Sequence, residues 1–148
     1  MVRIKPDESI IGLEGPVYDV DLERGRIRQF ANSIYAFHPA YHKESKPIIP
    51  PTFLIMSGYF YGYFLARAPR DSAFGSIDED FTTCADGGQE FVFHGPLPRA
   101  GDPLVASTHM HDFKERQGRR GGRLRIYVTC TQFHTPGGHH VADWFEWN

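Results

Sequence analysis

The second half of the chain repeats its side-chain pattern at every second residue, which is the period of a β-strand. Residues 104–111 and 124–131 each alternate between an apolar row and a more polar row of side chains. Glycines and prolines at 118–122 and 136–138 mark the turns between strands. With further strands at 89–94 and 141–147, the pattern predicts an antiparallel sheet built from hairpins and having one apolar face.

The first half of the chain has helical spacing instead. We expect a helix over residues 22–34 capped by Asp21, because its apolar side chains recur three and four residues apart. Residues 52–66 carry no charge and are rich in aromatic side chains. We expect a short extended piece at 52–56, a helix from 57 to about 67 that ends before Pro69, and an acidic loop at 71–86. A helix that is apolar on every side needs to be enclosed, so the sequence predicts an α+β fold with this helix at its centre.

Length and charge limit the class of protein. The 148 residues favour a single domain spanning 1–148. A net charge of −2 gives no electrostatic surface for nucleic acid or an anionic membrane, so neither is expected as a partner. Cys84 and Cys130 have no spacing typical of a disulfide framework. Charges within residues 1–10 interrupt any signal-peptide core, and no uncharged stretch is long enough to span a bilayer, so we expect a cytoplasmic protein. We also expect no cofactor.

Three segments together resemble a known family in their order and spacing. They are ERGRIRQFA at 23–31 with PAY at 39–41, IPPTF at 49–53, and QEFVFHGPL at 89–97 with RAGDPL at 99–104. They are similar to the N-terminal, fatty-acid-synthase-type dehydratase domain of the MaoC-like hydratases and dehydratases. The resemblance implies a hot-dog fold, in which a curved antiparallel sheet wraps around a central apolar helix. It also implies pairing with a second hot-dog subunit, as a homodimer or a heterodimer.

The activity implied by this resemblance is that of a (3R)-hydroxyacyl-thioester dehydratase or enoyl-thioester hydratase. Its substrates would be acyl-CoA or acyl-carrier-protein thioesters of fatty-acid or steroid metabolism. In the family, an Asp and a His exchange protons with the water that is added or removed. Those two positions fall here on Ala36 and Tyr41, while the family's Asn falls on His38. Ala36 cannot transfer a proton, and a tyrosine with a pKa near ~10 is a poor base at neutral pH.

The sequence therefore leaves several functions open. The chain can be a subunit that supplies the acyl-binding half of a dehydratase, with the acid–base pair on a partner. It can be a purely non-catalytic thioester-binding subunit, or it can have rebuilt the chemistry around His38, Tyr41 and His42. A different hot-dog activity, such as that of a thioesterase, is a further alternative. It needs a carboxylate near the central helix, and the absence of Asp and Glu from residues 47–69 argues against it.

Candidate substrate-binding residues lie in two places. The aromatic run predicts an acyl pocket, and its candidate contacts are Phe53, Ser57, Gly58 and Tyr59. In the family a backbone N–H at the start of the central helix polarises the thioester carbonyl, and Gly58 is the candidate for that role. Gly58 and Gly62, four residues apart, also suggest close approach of a second helix across a dimer. Arg119 and Arg120, in a glycine-rich hairpin, are candidates for pairing with the phosphates of the carrier.

Five of the six histidines in the second half raise the question of a metal. His109 and His111 are two apart on one strand, and His134, His139 and His140 lie on the next hairpin. No Asp or Glu accompanies them at a spacing typical of metal ligands. The sequence thus favours solvated histidines, and no metal is expected.

Overall fold

The chain forms one antiparallel sheet, in a computed structural model that describes residues 2–148. Met1, the first residue of the predicted domain, lies outside the described residues. The strands are β1 (Glu14–Asp21), β2 (Gly88–Phe93), β3 (Pro103–Gln117), β4 (Arg123–His134) and β5 (His140–Trp147). They lie in the order β1-β3-β4-β5-β2, and each neighbouring pair is antiparallel. The predicted α+β class and hairpin-built sheet are confirmed, while the strand at 14–21 is an addition that periodicity did not reveal.

Three helices are described: α1 (Arg24–Ser33), α2 (Pro39–His42) and α3 (Ile55–Phe60). The first begins two residues later than predicted, with Glu23 rather than Asp21 at its N-cap. Its buried side chains are Ile27 and Ala31, which lie on the predicted apolar face. No helix among residues 2–148 is long and apolar enough to cross a membrane.

The predicted long central helix is wrong in its length. Helix α3 has six residues, and residues 65–67 form a separate 3-10 turn. The chain leaves the helix before Gly62, where an added Cβ would overlap the ring of Tyr18 in β1. Glycine also destabilises a helix interior by about 1 kcal/mol relative to alanine, so packing against β1 overrides the apolar pattern here. The predicted extended piece at 52–56 is likewise wrong, because residues 52–54 form turns and residues 55–56 already belong to α3.

Two apolar clusters fill the face of the sheet that α3 covers, which we call the inner face. The first joins α1 and the segment before α3 to strands β3, β4 and β5; its members include Ile27, Phe53, Leu54, Ala106, Phe133, Ala142 and Trp144. In the second cluster, residues 65–81 pack against the β3–β4 hairpin. Its members include Leu65, Phe74, Ile77, Phe81, Met110 and Tyr127. The predicted acidic loop at 71–86 therefore contributes three anchoring side chains to the core.

Candidate functional site

The segment that resembles the family's catalytic turn lies between α1 and α2. Helix α1 ends at Ser33, and Tyr35 then adopts a positive φ of 57°, which is uncommon for a residue other than glycine. The N–H of Ala36 donates to the carbonyl of Ala31 over 2.8 Å, which closes the end of the helix. Together these two features reverse the direction of the chain. Residues 36–42, which we call the 36–42 turn, therefore lie in a defined position beside the end of α1.

Both histidines of the 36–42 turn bond to its backbone. Nε2 of His42 lies 2.8 Å from the carbonyl oxygen of Ala36. Nδ1 of His38 accepts from the N–H of Ala40 over 3.2 Å and so caps α2. Tyr41 is half-buried, with its ring edge-on to His38 at 6.3 Å between centroids. Within residues 2–148, neither histidine has a carboxylate at ion-pairing distance.

The arrangement of this turn limits what it can do alone. Because a carbonyl oxygen can only accept, His42 uses Nε2 as a donor, and a neutral His42 has Nδ1 as its only basic nitrogen. Acid–base catalysis of a hydration needs one group that takes a proton and one that gives a proton. Ala36, whose carbonyl contacts His42, has only a methyl side chain and cannot be the second group.

The predicted acyl-binding residues fall into buried and exposed members. Phe53 is 4% exposed and packs edge-on against Phe30 at 5.4 Å between ring centroids. Ser57 is buried, and its Oγ donates to the carbonyl of Leu54 over 2.7 Å. By contrast, Tyr59 is 56% exposed and contacts Phe64 at 4.6 Å between centroids. Helix α3 is therefore enclosed on one side only, which corrects the expectation that it is enclosed all round.

Gly58 lies in the middle of α3, because the helix begins at Ile55 rather than at Ser57. At that depth its N–H is used within the helix, so the structure does not present it to a ligand. A Cβ at Gly58 would lie 3.0 Å from Phe64 and 3.2 Å from Trp144. Gly58 and Gly62 thus allow close packing within this chain, not the contact with a second helix that their spacing suggested.

A narrow cavity lies between α1, the end of β1 and α3. It has about 10 Å³ of free volume, room for roughly one water molecule. The guanidinium of Arg26 covers it, 3.8 Å above the ring of Phe60, and donates to the Tyr61 hydroxyl over 3.3 Å. Phe53 and Ser57 line the cavity with Phe60. The described conformation therefore has no room for an acyl chain at these residues.

Arg119 and Arg120 lie apart from the other candidates. They are exposed in the turn between β3 and β4, which contains two left-handed glycines, Gly121 and Gly122. The strand positions next to Trp144 and α3 are Thr108 and Thr131, about nine residues or roughly 30 Å along the strands from this turn. The structure does not bring these arginines to α3 within this chain.

A buried polar group beneath α3 was missed from the sequence. Tyr18 Oη lies 3.3 Å from Ser57 Oγ, and the hydroxyls of Thr108 and Thr131 are 2.8 Å apart. Burial raises the pKa of Tyr18 above its ordinary value. Burial likewise raises the pKa of Glu146, which is 8% exposed and accepts from Thr129 over 3.4 Å. The sequence signal that could have revealed this group was the presence of polar residues within the apolar row of a strand whose side chains alternate.

The histidines also differ from expectation. Asp143 lies 2.7 Å from both His94 and His140, so an acidic residue does accompany the histidine group. The sequence interpretation overlooked Asp143, which follows His140 by three residues, and spacing could not bring in His94, which follows the distant strand β2. Among residues 2–148, these three form the group whose ligand atoms lie close enough together to hold a metal ion.

Comparison with known proteins establishes the family. Residues 9–144 match the family described as FAS1-like, dehydratase domain region. The chain belongs to this family. It is 28% identical over 123 residues to a UPF0336 protein of Streptomyces griseus, covering 76% of each chain. The family match over residues 9–144 confirms the predicted resemblance to the MaoC-like dehydratases.

Solved structures show the same fold. A chain of the C-terminally truncated HadBC (3R-hydroxyacyl-ACP dehydratase) complex from Mycobacterium tuberculosis is similar with a TM-score of 0.67 at 23% identity, covering 93% of this chain and 97% of that chain. A chain of the ChsH1-ChsH2 complex from the same organism gives 0.64 at 14% identity, covering 90% and 82%. The predicted hot-dog fold of this FAS1-like dehydratase-region protein is confirmed.

Proposed function

We propose that this protein is a hot-dog subunit of a (3R)-hydroxyacyl-thioester dehydratase or enoyl-thioester hydratase. In this role it contributes the acyl-binding half, and a second MaoC-like hot-dog chain contributes the acid–base pair. The observation that carries the proposal is the 36–42 turn. Its backbone holds His42 by a 2.8 Å hydrogen bond to Ala36, and Ala36 has no side-chain group that can take or give a proton.

Exposed aromatic side chains support the need for a partner. Tyr35 is 80% exposed and Phe37 is 66% exposed at the 36–42 turn, with 6.1 Å between their ring centroids, and Tyr59 on α3 is 56% exposed. Large apolar groups clustered near a functional site typically mark an interaction surface. A hot-dog partner is supported by the two similar structures above, each of which is a chain from a complex of two differently named proteins.

A second hot-dog chain would also complete the pocket. The cavity by Ser57 is too small for an acyl chain, and Arg26 and Phe60 close it. Space for the acyl group then requires movement of the Phe60 side chain, or a groove formed between α3 and the partner. The exposed side of α3, at Tyr59 and Phe60, is available for such a groove.

An acyl-CoA or acyl-carrier-protein thioester is the substrate class that fits this proposal. A similar structure carries the name 3R-hydroxyacyl-ACP dehydratase, which names a carrier-protein thioester for that protein. Arg119 and Arg120 remain the candidates for contact with the carrier phosphates. Free Cys84 and Cys130 favour a reducing compartment, which supports the cytoplasm as the location.

The decisive experiment compares the lone chain with the assembled pair. The chain is purified alone and after coexpression with a catalytic hot-dog chain encoded beside it, and enoyl-thioester hydration is followed spectroscopically. We expect a stable complex that is active and a lone chain that is not. In the complex, His42→Phe and Tyr41→Phe should leave kcat within about twofold, because general acid–base groups typically account for 10²–10⁴-fold.

Each alternative has its own outcome. A lone chain that turns over substrate, and that loses activity in His42→Phe, would place the chemistry around His38, Tyr41 and His42 and refute the borrowed dyad. A chain that assembles but does not change the partner's activity or its affinity for thioester would refute the acyl-binding role. His139→Ala is the matched control, since His139 is exposed on a turn of β4–β5.

A further inference from the structure

A group of histidines and one aspartate lies on the face of the sheet opposite α3, which we call the outer face. Ala142 and Trp144 point into the core, so Asp143 between them points outward. Phe93 packs against the same core, so the next residue, His94 at the end of β2, also points outward. This group is therefore separate from the candidate acyl site, and it does not depend on the proposed function.

The carboxylate of Asp143 in β5 links its own strand to the end of β2. Nε2 of His94 lies 2.7 Å from Oδ2 of Asp143, and Nε2 of His140 lies 2.7 Å from Oδ1. The ligand atoms of the three residues all lie within 4.8 Å of one another. The ring of His134 stacks on that of His140, with 4.5 Å between centroids and 13° between planes. A third imidazole, from the end of β4, thus stands beside the group.

The charge balance of Asp143 is incomplete. Its side chain is 12% exposed, and a carboxylate that is removed from water needs a counter-charge or strong hydrogen bonds. Its neighbours are the two imidazoles and the amide of Gln132 at 3.4 Å. Within residues 2–148, no Lys or Arg lies at ion-pairing distance from it. Burial tends to raise the pKa of Asp143, but the hydrogen bonds from His94 and His140 hold it below its ordinary value.

We propose that His94, His140 and Asp143 bind a divalent transition-metal ion, with Zn²⁺ the best match. Imidazole nitrogen and carboxylate oxygen are common zinc ligands at about 2.0–2.2 Å, and a tetrahedral site has a fourth position for water. Mg²⁺ and Ca²⁺ are disfavoured because they prefer sites made of oxygen. The imidazoles of His94 and His140 are 37% and 35% exposed, so an ion can reach them from solvent.

The ion would act as a structural clamp. It would replace the two N–H···O hydrogen bonds with coordinate bonds, and the side chains would rotate to give the ligand atoms tetrahedral spacing. It ties the end of β2, an edge strand, to the start of β5 beside the β4–β5 turn. Because both Nε2 atoms must be free of protons to coordinate, the affinity should fall as the pH is lowered.

The test uses the full chain without a histidine tag, freed of metal by dialysis against a chelator. Zn²⁺ affinity is measured by competition with a chromophoric chelator, and the visible absorption of bound Co²⁺ reports a tetrahedral site. We expect one ion per chain, a higher Tm with Zn²⁺, and an affinity at least about tenfold lower in His140→Ala and Asp143→Asn. His94→Gln, at the end of an edge strand, provides an independent variant if either of these fails to fold.

The control is His139→Ala, exposed on the β4–β5 turn, which should bind Zn²⁺ as the unaltered protein does. Equal Zn²⁺ affinity in the unaltered protein and in His94→Gln or His140→Ala would overturn the proposal, and the group would then be a hydrogen-bonded triad. Loss of binding in the control would also overturn it, since the ion would then be held elsewhere. Absence of Zn²⁺ binding in the unaltered protein leads to the same conclusion.

Discussion

The imidazole of His42 reaches back six residues and lies 2.8 Å from the carbonyl oxygen of Ala36. The hydrogen bond fixes Nε2 as a donor, because the carbonyl can only accept. It also stabilises the turn, and it engages an imidazole that would otherwise be free for proton transfer. The residue with the greatest apparent catalytic capacity in this segment is thus engaged in holding the backbone.

We predict that His42→Phe destabilises the chain by about 1 kcal/mol, because it removes one hydrogen bond to a half-buried turn. For a protein of this size that corresponds to a fall in Tm of about 2–4 °C. Thermal unfolding of both proteins at neutral pH checks this, and a variant with unchanged Tm would show that the contact contributes nothing.

We predict opposite effects for two glycine substitutions. Gly62→Ala should destabilise by about 1–3 kcal/mol, because its Cβ would overlap the buried ring of Tyr18. Gly25→Ala should stabilise by up to about 1 kcal/mol, because Gly25 lies in α1 with no atom near the added methyl group. Urea unfolding of both variants gives the comparison. Stabilisation by Gly62→Ala would mean that Tyr18 moves freely and that α3 can extend.

We predict that Glu146→Gln is more stable than the unaltered protein at neutral pH. Burial raises the pKa of Glu146, so the folded state binds its proton more tightly than the unfolded chain does. The stabilisation from that proton is present below the ordinary value of 4.5 and is lost as the pH rises through the folded pKa. Glutamine keeps the polar contact with Thr129 without the charge.

Urea unfolding at pH 4 and pH 7.5 measures this effect. The advantage of Glu146→Gln should be largest at pH 7.5 and should shrink at pH 4, where the glutamate of the unaltered protein gains a proton. Glu90→Gln, exposed on the neighbouring strand β2, is the control and should show neither effect. Lower stability of Glu146→Gln at pH 7.5 would show that the carboxylate is a required acceptor.

We predict that the exposed aromatic residues of the 36–42 region carry affinity for the partner. Phe37→Ser should weaken assembly at least about tenfold, which corresponds to ~1.4 kcal/mol. The stability of the lone chain should change little, because Phe37 is 66% exposed. Val17→Ser, at an equally exposed position on β1, is the control. Equal affinity of Phe37→Ser and Val17→Ser for the partner would place the interface elsewhere.

The strands and the family could be predicted because their signals are local. Alternation at 104–111 reports the inner face of β3, and the three motifs lie in the expected order. In β4 the alternation indicates a strand but not its inner face, because the core contact comes from Tyr127 and Phe133 while the apolar row at 124–130 lies on the other face. Strand β1 was missed because only its later part alternates in burial, and its pairing with β3 shifts register between Glu14 and Val17. The end of α3 was misplaced because uncharged aromatic residues suit a helix and a packed loop equally well.

The amino-acid sequence alone determined the fold class and the family, and it predicted that Ala36 and Tyr41 occupy the positions of the family's Asp and His. These depend on residue identity and on periods that a few neighbouring residues define. Only the tertiary structure decided that His42 bonds to Ala36, that Gly58 lies inside α3, and that Asp143 meets His94 across two strands. These contacts depend on packing and strand register between distant segments, which local spacing does not encode.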